Sequence, residues 1–396
     1  MNVSLTFCRF EPYCRFQWKV NDGWDKGERN FFSFPKSITI RPTTHYELTP
    51  EFFCFPEIFL NLNKFVLPGG DSFDIVIPKW SPNIFRFIEQ HRHALESLEV
   101  RRNIHSWFDI TFGYKLSGPA AEEALNVFNP LSYVSMDATE SEISQKHKWA
   151  KACGTVPCQL FNEPHSPSIE RGKFDPLNFV YTLNSDVYTE TVNIPKEILQ
   201  NSIHESFSQR KAFCVVTYDN YKSTIYKITE ERQFVSQITM FRNEAKFSYI
   251  SEKQLMCVTV CTNEIIIWSI SNGFITNIIP IKKVNALKID EDINSMFIGV
   301  GKKMLQYTLN GFLVREIEFD DEITAITCFG TGFSIFDKYA IVGHRNGKIR
   351  ICSICFDTGE FMVIQEKKLS QCSIQNIKVD ISLCEVSVYD WEFVLK

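Results

Sequence analysis

The 396 residues carry 42 Lys and Arg against 47 Asp and Glu, a formal charge of -5, and no long basic run. Phosphate neutralisation needs a concentrated cationic field, so a general nucleic-acid binder is excluded. With 44% apolar and 22% charged residues the composition is that of a globular chain, and its length predicts more than one folded unit.

Met1 to Arg9 has no basic region followed by a sustained apolar core, so it is not a signal peptide. No apolar stretch approaches the roughly 20 residues needed to span a bilayer, since even Leu255 to Ile281 is interrupted by Asn263, Glu264 and Asn272. A helix is predicted from Pro82 to Glu99, where Ile84, Phe87, Ile88, His91, Ala94 and Leu95 recur at three and four. Ser81-Pro82 supplies its cap and first turn. Arg92, Arg101 and Arg102 alternate with Glu89, Glu96 and Glu99, which is the pattern of a solvated helix face. Further helices are expected over Asn103 to Phe112 and over Pro119 to Val127, where Ala120, Ala121 and Ala124 allow close packing.

From Pro164 to Asp175 the chain turns to Pro, Ser and charge, a linker composition. Beyond it come short β-type runs that repeat. Ile225-Tyr226-Lys227-Ile228, Ile267-Trp268-Ser269-Ile270, Gln306-Tyr307-Thr308-Leu309 and Ile351-Cys352-Ser353-Ile354 begin 42, 39 and 45 residues apart. These intervals resemble the roughly 40–45 residue period of WD40 blades. Room remains for about five blades after residue 175. The final run, Ile381 to Tyr389, looks like a blade entered and not finished. Thirteen scattered cysteines, mostly among apolar neighbours, predict buried reduced thiols. Cys352 and Cys355 form a C-x-x-C with no second pair nearby, so no metal site is expected.

The most specific stretch runs from Trp80 to Tyr133. It contains His91-Arg92-His93-Ala94-Leu95-Glu96-Ser97, Ile104-His105-Ser106-Trp107-Phe108-Asp109-Ile110-Thr111-Phe112-Gly113-Tyr114-Lys115, Gly118-Pro119-Ala120-Ala121 and Asn126-Val127-Phe128. This resembles the BEACH domain of the neurobeachin and lysosomal trafficking regulator family. Thr49 to Glu57 upstream is similar to that family's proline, acidic and aromatic run, and Leu160 to His165 to its closing segment. Arg9-Phe10-Glu11-Pro12-Tyr13, Asp25, Arg29 and Phe31 resemble earlier family positions. The resemblance implies a multidomain fold: a mainly helical BEACH domain over 1–165 lacking its N-terminal part, a linker over 166–175, and an all-β WD40 propeller over 176–396, short or incomplete. It implies a non-enzymatic scaffold or adaptor of membrane and vesicle trafficking, cytoplasmic and peripheral to endomembranes. Its expected partners are proteins, bound through the propeller and BEACH surfaces, with indirect or weak membrane association and no nucleic acid. No cofactor is expected. The weighted positions are Trp107, Asp109, Phe112, Gly113, Tyr114, Lys115 and Asn126, as interaction or domain-core residues.

Two other readings compete. A hydrolase would draw on His91, His93 or His105 with Asp109 or Glu96, and Asp109 lies four residues after His105, within reach on a helix. No Gly-x-Ser-x-Gly elbow accompanies that pair, and Gly69-Gly70-Asp71 and Gly299-Val300-Gly301-Lys302 lack phosphate-loop spacing, so no catalytic residue is assigned. The remaining alternative is an incomplete, non-functional gene fragment.

Overall fold

A strand that is apolar on both faces needs a packed layer on each side, and the C-terminal half supplies those layers by laying sheet against sheet. The computed structural model describes residues 15, 19, 50–64, 66, 74–133, 139–153, 156–167, 179–184, 204–209, 213–218, 222–228, 234–241, 245–251, 253–330, 338–355 and 358–390. Two compact units emerge, residues 1–90 together with 173–396, and residues 91–172. The linker stretch beyond Pro167, the family-like positions Arg9 to Tyr13, Asp25, Arg29 and Phe31, and Gly69-Gly70-Asp71 lie outside the described residues.

The β-rich part begins with β1 (Val180–Asn184). Four antiparallel four-stranded sheets follow. The first holds β2 (His204–Gln209), β3 (Phe213–Tyr218), β4 (Lys222–Ile228) and β5 (Phe234–Phe241). The second holds β6 (Ala245–Ser251), β7 (Met256–Cys261), β8 (Ile265–Ser269) and β9 (Ile275–Ile279). The third holds β10 (Val284–Asp290), β11 (Ser295–Val300), β12 (Lys303–Thr308) and β13 (Leu313–Glu318). The fourth holds β14 (Ile323–Gly330), β15 (Lys338–His344), β16 (Lys348–Cys355) and β17 (Glu360–Lys368). β18 (Ile374–Asp380) and β19 (Glu385–Asp390) pair antiparallel, and β1 joins β19 in parallel to make a three-stranded sheet.

The repeat seen in the sequence falls on or at the end of β4, β8, β12 and β16, the third strand of each four-stranded sheet. At the same repeat position each of these strands slips register against its neighbour, at Ile225/Tyr226, Ile267/Trp268, Gln306/Tyr307 and Ile351/Cys352. Such bulges bend and twist a strand.

Among the described residues three apolar cores lie between successive sheets. Val258, Val260, Ile265 and Ile267 meet Ile289, Met296 and Ile298. Ala286, Phe297 and Met304 meet Ile323, Ala340 and Val342. Ala325, Ile341 and Ile351 meet Ile374, Val386 and Val388. Full burial of each such aliphatic chain is worth about 1.5–3 kcal/mol. Ile265–Ser269 has both faces covered, its other side packing Ile266 and Trp268 with Ile250 and Cys257. The first strands neighbour one another in the order β2, β6, β10, β14, β18. The structure thus shows a β-rich region of consecutive sheets; a closed ring is not seen among the described residues.

The α-helices described along their whole length are α1 (Ile84–Leu95), α2 (Leu98–Thr111), α3 (Gly118–Glu123) and α4 (Glu140–Cys153). The expected single helix to Glu99 divides because Ser97 leaves the helical region and its hydroxyl accepts from Val100 N–H, capping a new helix. α1 is capped by Asn83, not by Ser81-Pro82: the Asn83 Oδ1 accepts from Arg86 N–H, while Ser81 Oγ donates to the Asn83 carbonyl. The apolar face of α1 is buried only in its first half. There Phe87 and Ile88 close a core with Phe52, Ile58, Phe59 and Ile75, with Phe59 edge-on to both Phe52 and Phe87 at 5.9 and 5.4 Å.

Candidate functional site

The weighted residues occupy the last turn of α2, the 3-10 turn Tyr114–Leu116 that follows it, and the chain just beyond α3. Phe112 ends α2, its N–H bonded to the Phe108 carbonyl. The next residue must come back across the helix. A Cβ on Gly113 would stand 2.7 Å from Asp109 Cα, so only glycine permits the turn to lie this close. Lys115 places its ammonium 5.5 Å from the centre of the Tyr114 ring.

Asn126 fastens this turn. Its Nδ2 donates to the carbonyls of Ile110 at 2.8 Å and Lys115 at 2.9 Å, tying the end of the helix to the 3-10 turn. α3 stops short of the expected Val127 because the chain must bring Asn126 there. Leu125 takes φ 54, and Asn126 N–H bonds the Ala121 carbonyl at 2.8 Å.

The segment Leu160 to His165 closes over the same place. Leu160 and Phe161 N–H both point at the Phe112 carbonyl, at 2.7 and 3.3 Å. Asp109, buried, accepts from the His165 backbone N–H at 3.0 Å and faces the ring Nδ1 at 2.9 Å. An ionised carboxylate can only accept, so Nδ1 carries the proton. Burial pushes the Asp109 carboxyl up, but the His165 hydrogen bonds, with the charges of His165 and Lys115, outweigh it and hold the group below the usual carboxylate range. The imidazole stacks on Phe108 at 5.6 Å and meets the Phe161 edge at 4.6 Å.

The Asp109 partner is therefore His165, and not His105 as the four-residue spacing suggests. His105 instead lies 3.3 Å from the Ser106 hydroxyl through Nε2. With Asp109 committed to His165, that Ser–His contact has no orienting carboxylate from Asp109. The structure thus joins Asp109, Phe112, Gly113 and Asn126 in one clamp. Trp107 lies at its edge, 5.3 Å from Phe108 and 6.0 Å from Phe112, and is 55% exposed. Leu160 and Phe161 of the closing segment are 65% and 42% exposed. Sequence reasoning weighted neither His165 nor Phe161; their signal was the closing-segment resemblance itself.

Among the described residues no group of His, Cys, Asp and Glu is arranged to hold a metal, and no helix is long and apolar enough to cross a membrane.

This clamp lies inside the stretch that matches a known family: residues 1–168 match the Beige/BEACH domain. The chain is 43% identical over 174 residues to the lysosomal-trafficking regulator of Drosophila melanogaster, covering 40% of this chain and 5% of that protein. It is 38% identical over 190 residues to Beige protein homolog 1 of Saccharomyces cerevisiae, covering 43% of this chain and 8% of the yeast protein. The comparisons support the BEACH family for this part of the chain, which matches only a small fraction of the length of either relative.

Proposed function

We propose that the chain is a non-enzymatic scaffold or adaptor of intracellular membrane and vesicle trafficking, of the lysosome-related kind, acting through protein–protein contacts. The carrying observation is the BEACH match over residues 1–168, together with similarity to proteins named for lysosomal trafficking and Beige. The clamp supports a binding role: Asp109 and Asn126 spend their polar atoms on backbone and ring donors and carbonyls, which fixes shape and leaves Trp107, Leu160 and Phe161 facing outward. Exposed aromatic anchors on a rigid support are what protein recognition uses.

In this reading BEACH residues fill 1–165, a linker 166–175, and WD40-like blades 176–396. The bulge repeated on the third strand of four sheets supports that last assignment. Both parts present protein-binding surfaces, and the molecule sits in the cytoplasm, held at endomembranes through partners. Trp107, Phe112, Tyr114 and Lys115 belong to the contact surface, while Asp109, Gly113 and Asn126 build it.

Trp107→Ala should leave the thermal midpoint nearly unchanged, since its ring is half in water, and should remove the tagged chain from the endomembrane fraction of fractionated cells. Unchanged fractionation of a folded Trp107→Ala chain would take this surface out of the reading.

A further inference from the structure

α1 has a second face. While Phe87 and Ile88 close the small core of residues 52–88, Asn83, Arg86 and Glu89 recur every third residue along another side and meet β13 and β17. Arg86 Nη2 lies 2.6 Å from Glu360 Oε1, and Arg315 pairs with Glu89. The signs cross, with the helix giving one cation and one anion to a sheet residue of opposite charge.

Two backbone features make room for them. Val314 sits at the β12–β13 bulge, between the paired residues Leu313 and Arg315, and its carbonyl accepts from Asn83 Nδ2 at 3.0 Å. Gly359, at φ +70, precedes β17, and a Cβ there would stand 3.3 Å from Arg86 Cδ. Asn310 Nδ2 donates to Glu57 Oε1 at 2.8 Å, and Phe312 packs on Phe85 at 5.2 Å.

We propose that this face of α1 is a charge-coded latch: Asn83 to Gln90 dock on the β13–β17 surface through the crossed pairs Arg86–Glu360 and Glu89–Arg315, and undock when either pair is lost while the sheets stay folded. The surface accordingly fits one kind of partner, a helix carrying Asn, Arg and Glu at three-residue intervals, which this chain supplies itself.

The cost of the arrangement argues for a latch over a packed core. The Arg315 side chain is wholly buried, and its Nε and Nη1 find no hydrogen-bond partner among the described residues; nor does Arg86 Nε. Burial, with repulsion from Arg86, brings the Arg315 guanidinium down to about 9, against the pull of Glu360. Desolvating ions offsets most of what their pairing returns, whereas removing one partner of such a pair strands a charge. A junction of this kind is weak when intact and opens when one charge is taken away.

Phenylglyoxal modification of Arg315 in the full chain, followed by mass spectrometry, reads the latch directly. Arg86→Glu and Glu360→Arg should each speed modification of Arg315 by at least about tenfold, as expected for local opening. The double reversal Arg86→Glu with Glu360→Arg should return it near the wild-type rate. Amide exchange in β7 and β8 should stay unchanged throughout. Arg315 protected in both single variants, or a double variant that reacts as fast as the singles, would overturn the proposal. If β7 and β8 open as well, the uncharged changes Asn83→Ala and Glu57→Ala decide: faster Arg315 modification over closed sheets supports the latch, and an unchanged rate excludes it.

Discussion

Asp109 and His165 show what a single carboxylate does in the family-matched stretch. Two donors from one residue 56 positions away converge on Asp109 Oδ1. Asp109→Asn keeps the shape but removes the charge and presents an amide, so it should lower stability by about 1–3 kcal/mol; a denaturant melt checks this, and an unchanged midpoint would mean the clamp carries no strain-bearing bond. The wild-type carboxyl is held low, so its contribution is complete above the unfolded value of 3.8 and is lost as pH falls through the folded value. His344 works in the other direction. It is fully buried against Phe319, faces Arg350 through Nε2 and the Asp321 carbonyl through Nδ1, and lies near the charges of Asp320 and Asp321. Burial, then the Arg350 charge, lowers its proton affinity below 6.5, against the weaker pull of Asp321 and Asp320. The folded state therefore binds fewer protons than the unfolded one. Its stability is complete above 6.5 and is lost as pH falls below that value toward the folded one. Urea midpoints at pH about 8 and about 5.5 should differ less in His344→Gln than in the wild type. His91, also lowered by burial, leaves part of the slope in place. Identical slopes would show that His344 does not titrate in this window.

At the scale of elements, the sheets were legible because the third strand of each carries the same short repeated run, and in Ile267-Trp268 and Ile351-Cys352 both successive side chains are buried, one on each face. The helix α1 was legible from its period, but its stop was not, because Ser97 caps a new helix with a hydroxyl that the apolar pattern does not see. β1 was missed as well. Tyr181-Thr182-Leu183-Asn184 copies Tyr307-Thr308-Leu309-Asn310 of the β12 repeat, a signal present in the sequence, yet its partner β19 lies two hundred residues on and runs parallel to it. Sheet spacing depends on two glycines at the same place in successive sheets, each paired with an alanine of the first strand. Gly343 on β15 faces β18 so closely that a Cβ would stand 2.6 Å from Ile374 Cγ2, and Gly299 on β11 faces Ile323 of β14 in the same way at 2.8 Å. Gly343→Ala should therefore cost about 1–3 kcal/mol through overpacking. Ile374→Ala removes the obstructing methyl, so the double variant should cost clearly less than the sum of the single changes, a coupling that melts of all three chains would reveal. Additive losses would mean the two sheets move apart freely.

For the whole molecule, charge is the property the sequence states most openly and the one whose local use it hides. Glu89 reads as part of a solvated helix face together with Glu96 and Glu99; the Arg101–Glu96 pair is indeed exposed, whereas Glu89 reaches Arg315, 226 positions away. Short-range pattern has no access to a pairing of that separation. The net balance is more direct. A peripheral protein binds anionic lipid by clustering Lys and Arg, each worth about 1 kcal/mol near the surface, usually with an apolar helix face or a lipid chain besides. Here the formal charge is -5. Several cations are already taken: Arg86, Arg315, Lys338 and Arg350 are buried on carboxylates, and Lys303 and Lys348 pair with Glu316 and Glu366. Trp107, Leu160 and Phe161 are exposed apolar residues, and the Lys115 ammonium is turned to the Tyr114 ring. The purified chain should then remain unbound in a flotation assay with vesicles rich in phosphatidylserine, at low and at physiological salt alike, and should float only when a cytosolic protein fraction is added. Strong binding by the chain alone that fades as salt rises would place a cationic lipid site on its surface and reverse the expectation of indirect attachment.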